Sequence, residues 1–71
     1  MKVNAQTVKG MVVESRPGDL YLVELEGGKQ VLAKTSGKMR FNHIHVIVGD
    51  RVEVALDPYG GKTTNRIERR L

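Results

Sequence analysis

Through the first half of the chain, apolar and polar positions alternate with period two, the mark of strands with one buried face. From Thr7 to Glu14, the residues Val8, Gly10 and Val12 form one row. The stretch Ser15-Arg16-Pro17-Gly18-Asp19 follows, with Pro then Gly at its centre, as suits a turn whose third position needs positive φ. Leu20 to Leu25 then places Tyr21, Val23 and Leu25 on one face and Leu20, Leu22 and Glu24 on the other. Gly27-Gly28 supplies the next hairpin turn. A third strand is expected from about Lys29 to Lys34, with Val31 and Ala33 inward. Three antiparallel strands in succession make a meander.

The alternation stops at Thr35. Ser36 suits a helix N-cap, and Gly37-Lys38-Met39-Arg40-Phe41 has no strand pattern, so one short helical turn is expected there. Gly49-Asp50 turns into Arg51 to Leu56, where Val52, Val54 and Leu56 alternate with Arg51, Glu53 and Ala55. Pro58 ends that strand, Gly60-Gly61-Lys62-Thr63-Thr64 reads as a loop, and Asn65 to Arg69 gives a short closing strand around Ile67. These elements predict an all-β, five-stranded oligonucleotide-binding (OB-fold) barrel, with a helical turn between strands 3 and 4. An SH3-like barrel is the alternative. Residues 1–71 form a single domain in this reading, with 1–5 a flexible N-terminus. Closure also removes the exposed edges that so small a flat sheet would carry.

Bulk properties narrow the function. A chain of 71 residues buries only about 60% of the surface its unfolded form exposes, so the core must be small. The longest apolar run, Leu20 to Val23, falls far short of the roughly 20 residues that span a bilayer. Met1-Lys2-Val3-Asn4-Ala5-Gln6 lacks the apolar stretch of a secretory signal, so a cytoplasmic protein with no membrane partner is expected. There is no cysteine, which fits a reducing compartment and excludes thiolate catalysis. Twelve Lys and Arg against eight Asp and Glu leave a net charge of +4, and polyanions become the expected partners. The cations are unevenly spread: Lys29, Lys34, Lys38 and Arg40 meet no acid before Asp50, and Lys62, Arg66, Arg69 and Arg70 face only Glu68.

The side chains around the helical turn carry the candidate chemistry. Lys38 and Arg40 lie two apart on one turn, where their flexible cationic heads can reach neighbouring phosphates, and Gly37 lets a backbone approach closely. The bland alternative is a solvated basic surface. Met39 between them reads as a core plug ahead of a base contact, because a thioether fills irregular gaps. Asn42 either hydrogen-bonds a base or sugar or closes the turn through its own backbone. Phe41 either packs against the barrel end, the first reading, or stacks on an unpaired base. Tyr59 is a stacking residue or a core residue with a polar tip, and Tyr21 reads as core. His43 and His45, with no cysteine or convergent carboxylate, make a poor metal site. No nucleophile triad or acid pair is legible, and Gly60-Gly61-Lys62-Thr63 lacks the upstream glycine of a phosphate-binding loop. Neither an enzyme nor a cofactor is expected.

The constellation Ser36-Gly37-Lys38-Met39-Arg40, Asn42, Ile44, Gly49-Asp50, Val52, Val54, Pro58-Tyr59 and Arg66-Ile67 resembles bacterial translation initiation factor one, from about Gly10 to Arg70. The resemblance implies an S1-type barrel that binds the decoding (A) site of the small ribosomal subunit, contacting rRNA and a neighbouring ribosomal protein. It also implies action with initiation factors two and three. In this reading a monomeric, non-enzymatic factor presents Lys38, Arg40, Lys62, Arg66 and Arg70 to phosphates, and Asn42, Phe41 and Tyr59 to bases or sugars. His43 and His45 stand where the family commonly has Tyr and Arg, so the basic contact at position 45 becomes one that charges only as pH falls.

Other departures from the family are Gly60 after Pro58-Tyr59, Asn65 in place of the glycine before Arg66-Ile67, and Arg69 at an apolar position. If Ile67 points inward, alternation aims Arg69 inward too, where an unpaired cation is too costly. The strand must fray, shift, or present Arg69 at the rim. Two other binding classes remain: a general single-strand RNA chaperone of cold-shock type, and a protein-interaction barrel. The first usually stacks bases on several strand aromatics, and this chain has two Tyr and one Phe.

Overall fold

The apolar rows of the strands meet inside a closed barrel. The computed structural model describes residues 7–57, 59 and 65–71. In chain order the elements are β1 (Thr7–Arg16), β2 (Leu20–Leu25), β3 (Gln30–Thr35), α1 (Gly37–Phe41), β4 (Arg51–Ala55) and β5 (Asn65–Arg70). The strands close in the order β1-β2-β3-β5-β4, with β3 and β5 parallel and the other neighbours antiparallel. This is the five-stranded OB-fold barrel that the alternation and the helical insertion predict. The flexible N-terminus expected over residues 1–5 lies outside the described residues, as do Pro58 and the loop 60–64.

Small branched side chains fill the interior, as a narrow pleated barrel favours. Val12, Val23, Ala33, Val52, Val54 and Ile67 are fully buried, and Met39 closes one end of the cluster from α1. Met39 is thus the core plug. Tyr21, Val31 and Leu56 pack against the cluster while partly buried. The alternation misplaces Ala55, which is buried although it falls in the outward row. It pairs with Thr7 on one side and Arg66 on the other.

Two irregularities re-aim side chains. The β1–β2 register shifts between Val12 and Glu14, which leaves Val13 as an extra residue, and β1 runs on to Arg16. On β5, Ile67 pairs with Val54 and Arg69 with Glu53, so Glu68 is the extra residue of a bulge. That bulge resolves the problem of Arg69: the face changes after Ile67, and Arg69 turns outward. Its Nε and Nη2 donate to the Glu53 carboxylate at 3.1 and 3.4 Å. The strand shifts rather than frays, and it continues to Arg70.

Candidate nucleic-acid interface

Helix α1 is only five residues long, so its position depends on its caps. The Met39 N–H donates to Oγ of Ser36 at 3.2 Å, and the Ser36 N–H donates to the Ile67 carbonyl at 3.0 Å, which fastens the N-terminus of the turn to β5. At the other end Asn42 is the C-cap, and its N–H donates to the Lys38 carbonyl at 3.0 Å. The His43 N–H donates to the Arg40 carbonyl at 3.1 Å and the Ile44 N–H to the Met39 carbonyl at 2.9 Å, the two bonds of a Schellman ending. His43 carries the left-handed residue of that motif, with φ of 55°. Met39 is buried between these caps, so the flanking Lys38, Arg40 and Phe41 are all exposed.

The following loop is tied to the barrel. The Ile47 N–H donates to the Asp50 carboxylate at 3.0 Å, the Gly49 N–H to the Val12 carbonyl at 2.8 Å, and the Val12 N–H to the Asp50 carbonyl at 2.9 Å. Between this loop and the β1–β2 turn is a small cavity of about 120 Å³, whose lining includes Asp19, Tyr21, Arg40, His43 and His45. Arg70 donates from Nη1 to the His45 carbonyl at 3.2 Å. The end of β5 and the loop after α1 are therefore in contact, and Arg40, His45 and Arg70 belong to one neighbourhood.

Among the other predicted contacts, Arg66 stands outward on β5 with its Nε 3.4 Å from the Glu68 carboxylate. Solvent reaches this pair, so it is screened, and Arg66 can exchange it for a phosphate at small cost. Tyr59 is 82% exposed, which removes its reading as a core residue. Phe41 is also 82% exposed, so the first reading of it, burial against the barrel end, is wrong. The helix has one inward position, and Met39 occupies it. Asn42 is exposed and closes the turn through its backbone, which leaves its side chain available. Lys62 lies outside the described residues. A larger groove of about 510 Å³ has a mixed lining, Lys9 and Arg51 against Glu24 and Glu26, and holds none of the predicted contacts.

A family model, described as Translation initiation factor 1A / IF-1, matches residues 1–71. The chain belongs to that family. Among solved structures, it is similar to the translation initiation factor one of the Wolbachia endosymbiont strain TRS of Brugia malayi. That match has a TM-score of 0.80 at 34% identity and covers 96% of this chain and 79% of the other. It is also similar to YjeQ from Thermotoga maritima, with a TM-score of 0.74 at 36% identity over 93% of this chain. The chain spans only 23% of the length of that larger protein.

In this initiation-factor family member, two features of the basic face escaped sequence reasoning. Lys34 pairs in register with Arg66, so both cations stand side by side on the outer surface. The parallel β3–β5 pairing that joins them leaves no trace in alternation. Asp19, with φ of 57° in the first turn, brings a carboxylate to the cavity that Arg40 and the two imidazoles share.

The left-handed backbone at His43 predicts a stability effect. A side chain costs about 1 kcal/mol or more in that conformation, whereas glycine adopts it freely but loses more entropy on folding. His43→Gly is expected to raise stability by up to about 1 kcal/mol, seen as a thermal midpoint higher by a few degrees. A lower midpoint instead means that the imidazole makes contacts outweighing the strain.

Proposed function

We propose that this initiation factor occupies the decoding (A) site of the small ribosomal subunit and acts there with initiation factors two and three. The observation that carries the reading is the α1 turn, which buries Met39 and thereby holds Lys38, Arg40 and the bare ring of Phe41 in solvent. An aromatic ring left 82% exposed beside two cations suits unpaired bases flanked by phosphates. Lys38, Arg40, Lys62, Arg66 and Arg70 meet rRNA phosphates, Asn42, Phe41 and Tyr59 meet bases or sugars, and His45 stands at the edge of the set. A neighbouring ribosomal protein completes the contact. The factor works as a cytoplasmic monomer through shape and charge, with no catalytic step. Among the described residues no helix is long and apolar enough to cross a membrane.

Co-sedimentation with purified small subunits, with and without initiation factors two and three, tests the proposal. Retention by any polyanionic matrix as strongly as by subunits points instead to a general RNA chaperone. Salt dependence provides a second measure. With about five phosphate contacts and a counterion-release slope of roughly −0.7 per contact for non-duplex RNA, a fourfold rise in salt is expected to lower affinity about a hundredfold. A flat titration between low and physiological salt removes the charge argument.

A further inference from the structure

Asn65 opens β5 and is only 7% exposed, in register with Ala33 of β3. A carboxamide withdrawn from water needs protein partners for both its donor and its acceptor. Nδ2 donates to the Leu32 carbonyl at 3.0 Å, and Oδ1 accepts from the Asp57 N–H at 2.8 Å. Asp57 in turn accepts, through its own Oδ1, from the Tyr59 N–H at 2.8 Å. Three bonds in series thus join the backbone of β3 to the backbone of an aromatic residue that stands 82% exposed.

We infer that Asn65 is a positioning residue for the RNA contact: its carboxamide fixes Asp57, and through Asp57 the backbone of Tyr59, before RNA arrives. The inference rests on the functional reading above, in which Tyr59 meets RNA. A ring carried on an ordered backbone loses less freedom on contact, so the same stacking yields tighter binding. The glycine of the resembling family at this position can make neither side-chain bond. Asn65 therefore supplies a connection between β3 and Tyr59 that depends on its carboxamide.

Two measurements test the inference. In the free protein, the Tyr59 amide is expected to exchange with solvent at least about fivefold faster in Asn65→Ala than in the parent, because its acceptor is no longer held in place. An unchanged exchange rate overturns the proposal. In subunit binding, Tyr59→Ala is expected to cost about tenfold, the range of one lost stacking contact, and Asn65→Ala about three- to tenfold. The double variant should then bind within about twofold of Tyr59→Ala alone, since Asn65 acts only through that ring. Independent, multiplying losses overturn the inference, as does a Tyr59→Ala chain that binds like the parent. If Asn65→Ala does not fold, Asn65→Gly takes its place in both measurements, since it too removes both side-chain bonds. A parent chain that binds no small subunits sinks the functional reading, and the exchange rates of the free protein still decide whether Asn65 governs Tyr59.

Discussion

Replacing Lys38 and Arg40 together by alanine is expected to lower affinity for the small ribosomal subunit by a hundredfold or more while leaving the fold intact. Each side chain is exposed on α1, and a charge-assisted contact to phosphate contributes about 1.5 to 3 kcal/mol, so two such losses amount to roughly 3 kcal/mol at the least. The helix itself gains slightly from alanine, the best helix former, and its capping bonds from Ser36, His43 and Ile44 involve neither side chain. Thermal unfolding should therefore change by only a degree or two. Arg16→Ala is the control, because Arg16 lies at the end of β1 and pairs with Glu14 at 3.2 Å, outside the proposed interface. Equal losses from both substitutions mean that overall charge, and not the α1 turn, governs recognition.

The largest effect on stability is expected at Gly10, in the middle of β1. A methyl group built there falls 2.7 Å from the Glu24 carbonyl oxygen, 2.8 Å from Cγ1 of Val23 and 3.2 Å from Cδ2 of Leu25. The nearest of these is backbone, and Glu24 is held by pairing with Met11 on one side and Gln30 on the other. It can move away only if the β1–β2 ladder opens. Overpacking of this kind costs about 1 to 3 kcal/mol or more, a large share of the few to about ten kcal/mol that a domain this size possesses. Gly10→Ala should lower the thermal midpoint by roughly 5 to 20 °C. Gly37→Ala should do the reverse, since a methyl group there meets nothing within 4 Å and α1 gains a better helix former. A Gly10→Ala chain that melts within a couple of degrees of the parent would falsify the close-approach account.

These two sites differ in how far the sequence exposes them. The Ser36-Gly37-Lys38-Met39-Arg40 string is legible because a cap, a non-alternating stretch and a resemblance all coincide on it. Gly10 is legible only as a member of an inward row, since its neighbours Val23 and Glu24 lie across a hairpin whose register shifts at Val13. Phe41 shows a different limit. Local pattern indicates that five residues form one turn, but not which of two apolar side chains, Met39 or Phe41, faces the barrel. Burying one leaves the other in water, and only the packed barrel shows that Met39 is the one buried.

The sequence by itself determined the number, order and type of the elements, the capped turn after β3, and the identity of most of the cations, because these follow from interactions within a few residues. Tertiary structure alone decided what depends on which strands lie side by side. The parallel β3–β5 pair sets Lys34 beside Arg66 and brings Asn65 within reach of Leu32, and the β4–β5 pair brings it within reach of Asp57. The bulge at Glu68 turns Arg69 toward Glu53 and so allows a charged residue to follow Ile67 in a core strand. An extra residue in one strand has no signature in that strand's own pattern. It becomes visible only against the partner, where the cost of burying a cation selects the register that exposes it.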